Sequence, residues 1–165
     1  MLAHYEIATL RMIRRHTAHP VLVRGARIAS FFGEHALGWI VLGTLAGLLD
    51  AAHRPVLFSV AVAAVAAHGA AIVIKRVVRR PRPSATDLPA LCSTPSRLSF
   101  PSAHACSTTA AAIALVPIVG VPVAAAIIGL MGFSRLLLGV HYPTDVLAGV
   151  AVGACAAMAT GQFTL

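Results

Sequence analysis

Three short clusters place two histidines, an aspartate, a lysine and two arginines among otherwise apolar segments. In chain order they read Lys-x6-Arg-Pro, Pro-Ser-Ala-His and Ser-Arg-x5-His-x3-Asp, at residues 75–83, 101–104 and 134–145. Histidine can attack phosphorus or carry a proton, whereas lysine and arginine hold phosphate oxygens. The order and spacing of the three clusters together predict a site that cleaves a phosphate ester.

The third cluster pairs His141 with Asp145 across Pro143 and Thr144. Proline is favoured in a first helical turn and an acid there is stabilised by the helix dipole, so a helix is predicted to begin here. The pair fits a histidine whose second ring nitrogen is held by a carboxylate, which leaves the other nitrogen free to attack phosphorus. An interfacial histidine beside a helix-capping acid would give the same spacing.

The second cluster ends at an apolar run, where Ser102 is the predicted N-cap of a helix. A helix N-terminus presents free backbone N–H groups and partial positive charge, so Ser102 and the amides that follow, beginning with Ala103, are expected to hold phosphate. His104 lies within the first turn, beside the same anion. A histidine there can protonate the departing oxygen.

Lys75, Arg82 and Arg135 are the cations that we expect to contact phosphate oxygens, since phosphoryl transfer depends on positioning and charge stabilisation. A basic run directly after an apolar span is more often a headgroup anchor, which is the interpretation given to Arg76, Arg79 and Arg80. Spacing alone does not separate the two sets. The clusters contain no three ligands at the usual metal spacing, so no metal or other cofactor is expected.

The clusters resemble those of the phosphatidic acid phosphatase type 2 superfamily, the lipid phosphate phosphatases. Ten positions between Lys75 and Asp145 match in order and spacing. The resemblance implies that His141 is the nucleophile and forms a phosphohistidine, that Asp145 orients it, and that His104 is the general acid. It also implies a metal-independent phosphate site made of Lys75, Arg82, Ser102 and Arg135.

One position departs from the family pattern. The family usually has glycine where this chain has Ala103, which would put in doubt any backbone conformation with positive φ. A helix N-terminus requires no such conformation, so the amide is expected to be kept.

The composition indicates that lipid is the solvent for most of the surface. The chain has 165 residues, of which 58% are hydrophobic and only 11% charged, and its mean hydropathy is +0.85. Soluble proteins carry roughly a quarter charged residues. A net charge of +8 could indicate nucleic acid, but the cations are confined to short stretches, which favours lipid headgroups or a phosphorylated substrate. The three separated cysteines predict neither a disulfide framework nor a zinc site.

About 20 apolar residues cross a bilayer, and Pro55–Ile74 and Val146–Leu165 each supply that length. Leu98–Ser134 is too long for one span and is broken by two prolines and a glycine at 117–122, so two helices with a tight turn are predicted. Ala36–Leu49 is a shorter candidate. The expected fold is all-α, an integral membrane bundle of about five transmembrane helices.

Residues 1–30 contain five arginines beside isoleucine and leucine at helical spacing. We expect a basic amphipathic segment on the membrane surface, with a solvated tail as the alternative. No typical cleavage site follows an apolar core, so no cleaved signal peptide is expected. The chain is interpreted as a single domain, 1–165, whose bundle occupies 36–165.

Five spans place the N-terminus and the three clusters at one membrane face. Twelve of the thirteen lysines and arginines then lie on that face, and Arg54 alone lies opposite. The positive-inside rule therefore predicts a cytoplasmic active site in the cell membrane. Gly43 with Gly47, and Gly149 with Gly153, have the spacing that lets helices approach closely in lipid.

The expected substrate and partner is a lipid phosphate in the bilayer. The small size and the alanine, valine and arginine bias resemble actinobacterial members that act on polyprenyl-linked phosphates, such as decaprenylphosphoryl-5-phosphoribose. Undecaprenyl diphosphate, phosphatidic acid and phosphatidylglycerol phosphate stay open as alternative substrates. Assembly into a homo-oligomer also stays open. Two other classes are a vanadium haloperoxidase, which is larger and soluble, and a non-enzymatic lipid-binding assembly factor, which would not require two histidines and a histidine–aspartate pair.

Three further polar residues lie near the clusters. His68, about two turns deeper than Lys75, is expected to be an interhelical histidine with its hydrogen bonds satisfied. Glu34 and His35 are candidates for the substrate entrance.

Overall fold

Seven helices make up the part of the chain that the computed structural model describes, residues 2–161. They are α1 (Leu2–Thr17), α2 (Pro20–Gly33), α3 (Leu37–Leu49), α4 (Arg54–Val78), α5 (Ala103–Ala114), α6 (Val116–Leu137) and α7 (Pro143–Ala159). A single 3₁₀ turn, Glu34–Ala36, joins α2 to α3. The predicted all-α fold is confirmed. The end of the predicted last span, residues 162–165, lies outside the described residues.

Three segments are long and apolar enough to cross a membrane, namely Pro20–Leu49, Arg54–Val78 and Val116–Leu137, and α7 is a shorter apolar helix. Large apolar side chains on these segments point outward: Leu49 is 88% exposed and Leu130 is 68% exposed. Large apolar side chains exposed along helices of this length and hydropathy indicate lipid as the solvent. The chain is an integral membrane protein.

The first span differs from the one that the sequence predicts. Instead of Ala36–Leu49 alone, α2 and α3 together form the segment Pro20–Leu49, bent where His35 and Ala36 adopt φ values of 52° and 60°. The N-terminal half of this span escapes a search for apolar runs because two arginines, Arg24 and Arg27, interrupt it.

Those arginines lie at the end of the bundle that carries the predicted site. Arg27 Nε donates to the Leu91 carbonyl at 2.9 Å, and Ala26 packs with the end of α6 at Leu137 and Leu138. The charged end of α2 is therefore compatible with a span, because its cations contact the loop outside the apolar layer.

Helix α1 is amphipathic, as predicted, but its apolar face packs on protein. Leu10 is fully buried in a cluster with Leu88 and Tyr142. At the rim of this contact, Arg11 pairs with Asp87 at 2.7 Å. The helix thereby covers the loop that follows α4, so it is part of the folded domain as well as a basic surface segment.

Helix α5 forms the centre of the bundle, and ten of its twelve residues are buried. Helix α7 approaches it at Gly149 and Gly153. A Cβ added to Gly153 would lie 2.4 Å from the Cys106 carbonyl oxygen, and one added to Gly149 would lie 2.8 Å from that of Ser102. The predicted close helix contact is confirmed, since only glycine permits this approach.

The second glycine pair, Gly43 with Gly47 on α3, makes the same kind of contact with α4. An added Cβ on Gly43 would lie 2.7 Å from the Leu57 carbonyl oxygen. Helices α5 and α6 reverse direction around Gly120, whose φ is 78°. As a result the end of α4, the start of α5, the end of α6 and the start of α7 all meet at one end of the bundle, as the helix count predicts.

Candidate active site

A cavity of about 210 Å³ lies where these four helix ends meet. Six of the eight predicted site residues line it, and the other two, Ser102 and Asp145, are fully buried behind it. The six are Lys75, Arg82, Ala103, His104, Arg135 and His141. The structure therefore brings three clusters that are far apart in sequence into one neighbourhood.

His141 and Arg82 are in direct contact. Arg82 Nη1 lies 3.1 Å from His141 Nε2, and the same nitrogen donates to the Val140 carbonyl at 2.7 Å. A guanidinium can only donate hydrogen bonds, so Nε2 of the histidine must carry a lone pair. The neutral ring then holds its proton on Nδ1, and Nε2 is the ring nitrogen that carries the lone pair.

The Nδ1 side of His141 faces Asp145. Its distance to Asp145 Oδ2 is 3.6 Å, which is longer than a hydrogen bond, and Nδ1 has no hydrogen-bond partner among the described residues. Catalytic hydrogen bonds are often long in a substrate-free site and tighten when substrate binds. The arrangement is that of a carboxylate positioned to select one tautomer of the histidine.

Burial keeps His141 neutral. The ring lies in the loop before α7 and is 2% exposed, and burial is the main cause that lowers its pKa to about 3, with a further lowering from the Arg82 charge. An imidazolium has no free lone pair with which to attack phosphorus. A neutral ring at physiological pH is therefore the form that a nucleophile requires.

Asp145 is itself held by two donors. Tyr142 N–H donates to Oδ2 at 2.9 Å, which completes a capping box at the start of α7, and Arg80 Nη1 donates to Oδ1 at 2.8 Å. The helix start predicted at Pro143 is thus confirmed. The interpretation of Arg80 as a headgroup anchor is wrong, because its guanidinium lies 4.0 Å from the centre of the Tyr142 ring and binds a buried carboxylate.

Arg80 is fixed in turn by Glu6 of α1. The second guanidinium nitrogen of Arg80 pairs with Glu6 Oε2, while Glu6 Oε1 accepts from the backbone N–H of Thr144 at 3.2 Å. Glu6 is 5% exposed. No motif pointed to this glutamate, since its partners are more than seventy residues away and an acid on a basic amphipathic helix looks like an ordinary surface charge.

Arg135 is buried and retains an unused donor. Its Nη1 donates to Ser30 Oγ at 3.0 Å and its Nε to Ser134 Oγ at 3.1 Å, while Nη2 has no partner among the described residues. Leaving a charged donor unpaired in a buried position is costly. A guanidinium that lines the cavity with one free N–H group is suited to bind an anion there.

Helix α5 begins at the cavity. Ser102 is its N-cap and accepts from the Ala105 amide, as the sequence predicts. The amides of Ala103 and His104 belong to the first turn, which has no intrahelical acceptor. Within residues 2–161, the residues other than glycine with positive φ are His35, Ala36 and Arg79, so alanine at position 103 causes no backbone strain.

His104 contacts α2. Its Nε2 lies 3.0 Å from the Ser30 carbonyl oxygen, and its ring packs against Gly33, where an added Cβ would lie 2.8 Å from Cδ2. A carbonyl only accepts, so Nε2 carries a proton and Nδ1 is the site that gains and loses the other one. Ser30 contacts both His104 and Arg135, yet no motif singled it out.

Lys75 makes a different contact from the one expected. It lines the cavity, but Nζ donates to the carbonyls of Leu98, Ser99 and Pro101 at 3.2, 3.1 and 2.7 Å. The three N–H donors of the Lys75 ammonium group therefore hold the segment of the loop that leads into Ser102. The positive charge remains beside the cavity, and a direct contact with phosphate stays a prediction.

His68, Glu34 and His35 also line the cavity. The expectation that His68 has its hydrogen bonds satisfied is wrong: Nδ1 is buried and has no partner among the described residues. The long loop between α4 and α5 contributes residues 93–96 to the lining of the cavity. Within residues 2–161, no group of three His, Cys, Asp or Glu side chains could hold a metal ion.

A sequence model of the PAP2 superfamily matches residues 52–164. Two relatives named decaprenylphosphoryl-5-phosphoribose phosphatase are similar to this chain. The protein from Mycolicibacterium smegmatis is 54% identical over 130 residues, which cover 79% of this chain and 72% of the relative. The protein from Mycobacterium tuberculosis is 45% identical over 135 residues, which cover 82% and 76%.

Two solved structures have the same fold. The PAP2-type phosphatidylglycerolphosphate phosphatase from Bacillus subtilis gives a TM-score of 0.79 at 22% identity, over 98% of this chain and 85% of that one. Aquifex aeolicus LpxE gives 0.75 at 23% identity, over 95% and 94%. At these identities the likeness concerns the fold alone.

Proposed function

Because the chain belongs to the PAP2 superfamily, we propose that it is a membrane phosphatase that hydrolyses decaprenylphosphoryl-5-phosphoribose, the substrate in the names of its relatives. The whole chain acts as one domain. The geometry that carries the proposal is the contact of Arg82 with His141 Nε2, in a buried cavity where Arg135 keeps a free donor. A ring lone pair, the Arg82 cation beside it and the free donor of Arg135 in one buried site are suited to phosphoryl transfer.

In the proposed reaction, Arg82 and Arg135 bind the phosphate oxygens together with the first-turn amides of α5. His141 Nε2 forms a bond to phosphorus while the bond from phosphorus to the sugar oxygen breaks. His104, which enters this step protonated on both ring nitrogens, gives its Nδ1 proton to that oxygen, so the sugar leaves as an alcohol. Water then attacks the phosphohistidine, His104 takes up the water proton, and inorganic phosphate and free His141 result.

Phosphate release from a panel of lipids tests the function. We expect the purified protein in detergent to release phosphate from the phosphoribosyl polyprenyl lipid faster than from undecaprenyl diphosphate, phosphatidic acid or phosphatidylglycerol phosphate. Activity should persist in EDTA, because fixed cations supply the charge stabilisation that a metal would otherwise provide. Activity lost on chelation and restored by one divalent ion would contradict the mechanism, and no release from any lipid would leave the non-enzymatic alternative.

Arg80 and Glu6 are proposed as positioning residues for Asp145. We expect Arg80→Gln to lower kcat by about 10- to 100-fold with little change in KM, as for other groups that orient a catalytic ligand. Glu6→Gln should have a smaller effect in the same direction. In an Asp145→Asn background, Arg80→Gln should cost much less than in the wild type, because both changes disrupt one unit.

The matched control is Arg11→Gln, which removes an exposed contact of α1 with Asp87 and leaves the Asp145 network intact. It should retain wild-type kcat. Additive losses for the Arg80→Gln and Asp145→Asn pair would show instead that Arg80 acts on folding or on lipid binding.

The active site is proposed to face the cytoplasm, in the cell membrane. Five elements run between the ends of the bundle when α2–α3, α4, α5, α6 and α7 are each counted once, so the end of α7 lies opposite the site. Discounting Lys75, Arg82 and Arg135 still leaves nine cations at the site end against Arg54 at the other. Alkaline phosphatase fused to the C-terminus should be enzymatically active, because it would lie outside the cytoplasm. A fluorescent protein fused at the same place should show no fluorescence. An inactive phosphatase and a fluorescent reporter would overturn the orientation.

A further inference from the structure

Three polar side chains, Glu34, His35 and His68, line the cavity on the side of α2, α3 and α4 and take no part in the reaction proposed above. The His35 and His68 rings lie 5.9 Å apart between centroids, and Nδ1 of His68 is buried without a hydrogen-bond partner among the described residues. Glu34 is half-buried. Together they form a second polar surface inside the phosphate cavity.

A carboxylate at this position opposes the binding of an anion. Glu34 disfavours a phosphate directly beside it, although three cations favour phosphate elsewhere in the cavity, and its carboxylate can accept hydrogen bonds from a ligand. A carboxylate accepts only, and a neutral histidine both donates and accepts. Vicinal hydroxyl groups, which are donors and acceptors at once, satisfy this set.

The order of surfaces follows the order of groups in the proposed substrate, from the scissile phosphate through the sugar to the polyprenyl chain, which a second phosphate joins to the sugar. Glu34 and His35 also belong to a second, apolar groove on the outer face of α2 and α3, whose lining includes Phe31, Leu37 and Val41. Phe31 is 81% exposed. Along the protein, the sequence is therefore phosphate site, hydroxyl-binding surface, and a groove open to lipid.

The backbone is strained where these groups are presented. His35 and Ala36 are consecutive non-glycine residues in the left-handed region, which side chains with a Cβ rarely adopt. The strained turn bends the first span and turns Glu34 and His35 toward the cavity. Such strain persists in proteins mainly where a site depends on it.

We propose that Glu34, His35 and His68 form a subsite for the hydroxyl groups of a sugar that lies between the scissile phosphate and the lipid chain. This inference rests on the proposed function, because it assigns the ribose of the phosphoribosyl lipid to this surface. It makes the sugar, in addition to the phosphate and the chain, a determinant of specificity.

The test compares two substrates and two proteins. The substrates are the phosphoribosyl polyprenyl lipid and its 2,3-dideoxyribose analogue, and the proteins are the wild type and Glu34→Gln. We expect the wild type to lose about 10- to 100-fold in kcat/KM on the analogue, as for hydrogen bonds to a charged group. Glu34→Gln should have a kcat/KM on the natural lipid that is lower than the wild-type value by a similar factor. Its kcat/KM values on the two substrates should differ by no more than about threefold.

Two controls keep the outcomes separate. Asp50→Asn, at the opposite end of the bundle, should behave as the wild type on both lipids. His68→Leu should lower discrimination as Glu34→Gln does, while His68→Gln should restore part of it, so the test survives if one variant does not fold.

The subsite is overturned if Glu34→Gln and His68→Leu each lower kcat/KM, relative to the wild type, by the same factor on both lipids. These residues would then support the phosphate site alone. A wild type that releases no phosphate from the phosphoribosyl lipid, but does so from another lipid phosphate, contradicts the proposed function instead.

Discussion

His141→Ala is expected to abolish phosphate release, with a fall in kcat of at least about 10⁴-fold, because it removes the atom that bonds to phosphorus. Asp145→Asn should retain measurable activity, since it removes only the group that selects the tautomer; losses of up to about 10⁴-fold are known for such changes. The measurement is phosphate release in detergent at saturating lipid.

A covalent intermediate gives an independent readout. With substrate labelled in the scissile phosphate, wild-type protein quenched in alkali should carry label on histidine, and His141→Ala should carry none. The control is His53→Ala, at the other end of the bundle, where the ring only pairs with Asp50. Wild-type rates or a labelled histidine in His141→Ala would overturn the assignment of the nucleophile.

The second large effect concerns His104 and depends on the leaving group. Replacement of His104 by alanine should lower kcat by about 10²- to 10⁴-fold on an alkyl phosphate lipid. Its leaving group is an alkoxide, which departs poorly unless it is protonated. On an activated aryl phosphate the loss should be much smaller, because the phenolate leaves without a proton.

The comparison of the two substrates identifies the role of His104. Equal losses on both would mean that His104 binds phosphate and does not transfer a proton. Ser30→Ala serves as a matched control, because it removes the hydroxyl that Arg135 contacts but keeps the backbone carbonyl that accepts from His104. The Ser30→Ala variant should lose activity by the same factor on both substrates.

Local signals in the sequence were enough to predict how each cluster is presented. The N-cap at Ser102 and the helix start at Pro143 follow from residue types alone, and the close contact of α5 with α7 follows from the spacing of Gly149 and Gly153. That the clusters meet follows from the even number of helices between them. These features depend on neighbours within a few residues, or on a count of apolar runs.

Long-range side-chain pairing was not predictable in this way. Glu6 and Arg80 are separated by 74 positions, and nothing in the spacing of either residue marks the other as its partner. The start of the first span was concealed for a different reason, since Arg24 and Arg27 lower the hydropathy of a helix whose cations reach a loop. Lys75 was expected at phosphate, but the loop carbonyls compete for its donors.

The contact of α7 with α5 also bears on the construction of chimeric enzymes. Where Gly149 meets Ser102, the Ser102 amide donates to the Asp145 carbonyl at 2.9 Å, so a direct backbone contact fixes the spacing between the helices that carry His104 and Asp145. The loop at residues 84–97 takes no part in that contact. A change in the length of this loop should therefore leave the spacing of the two helices unchanged, while it alters the part of the cavity that residues 93–96 line.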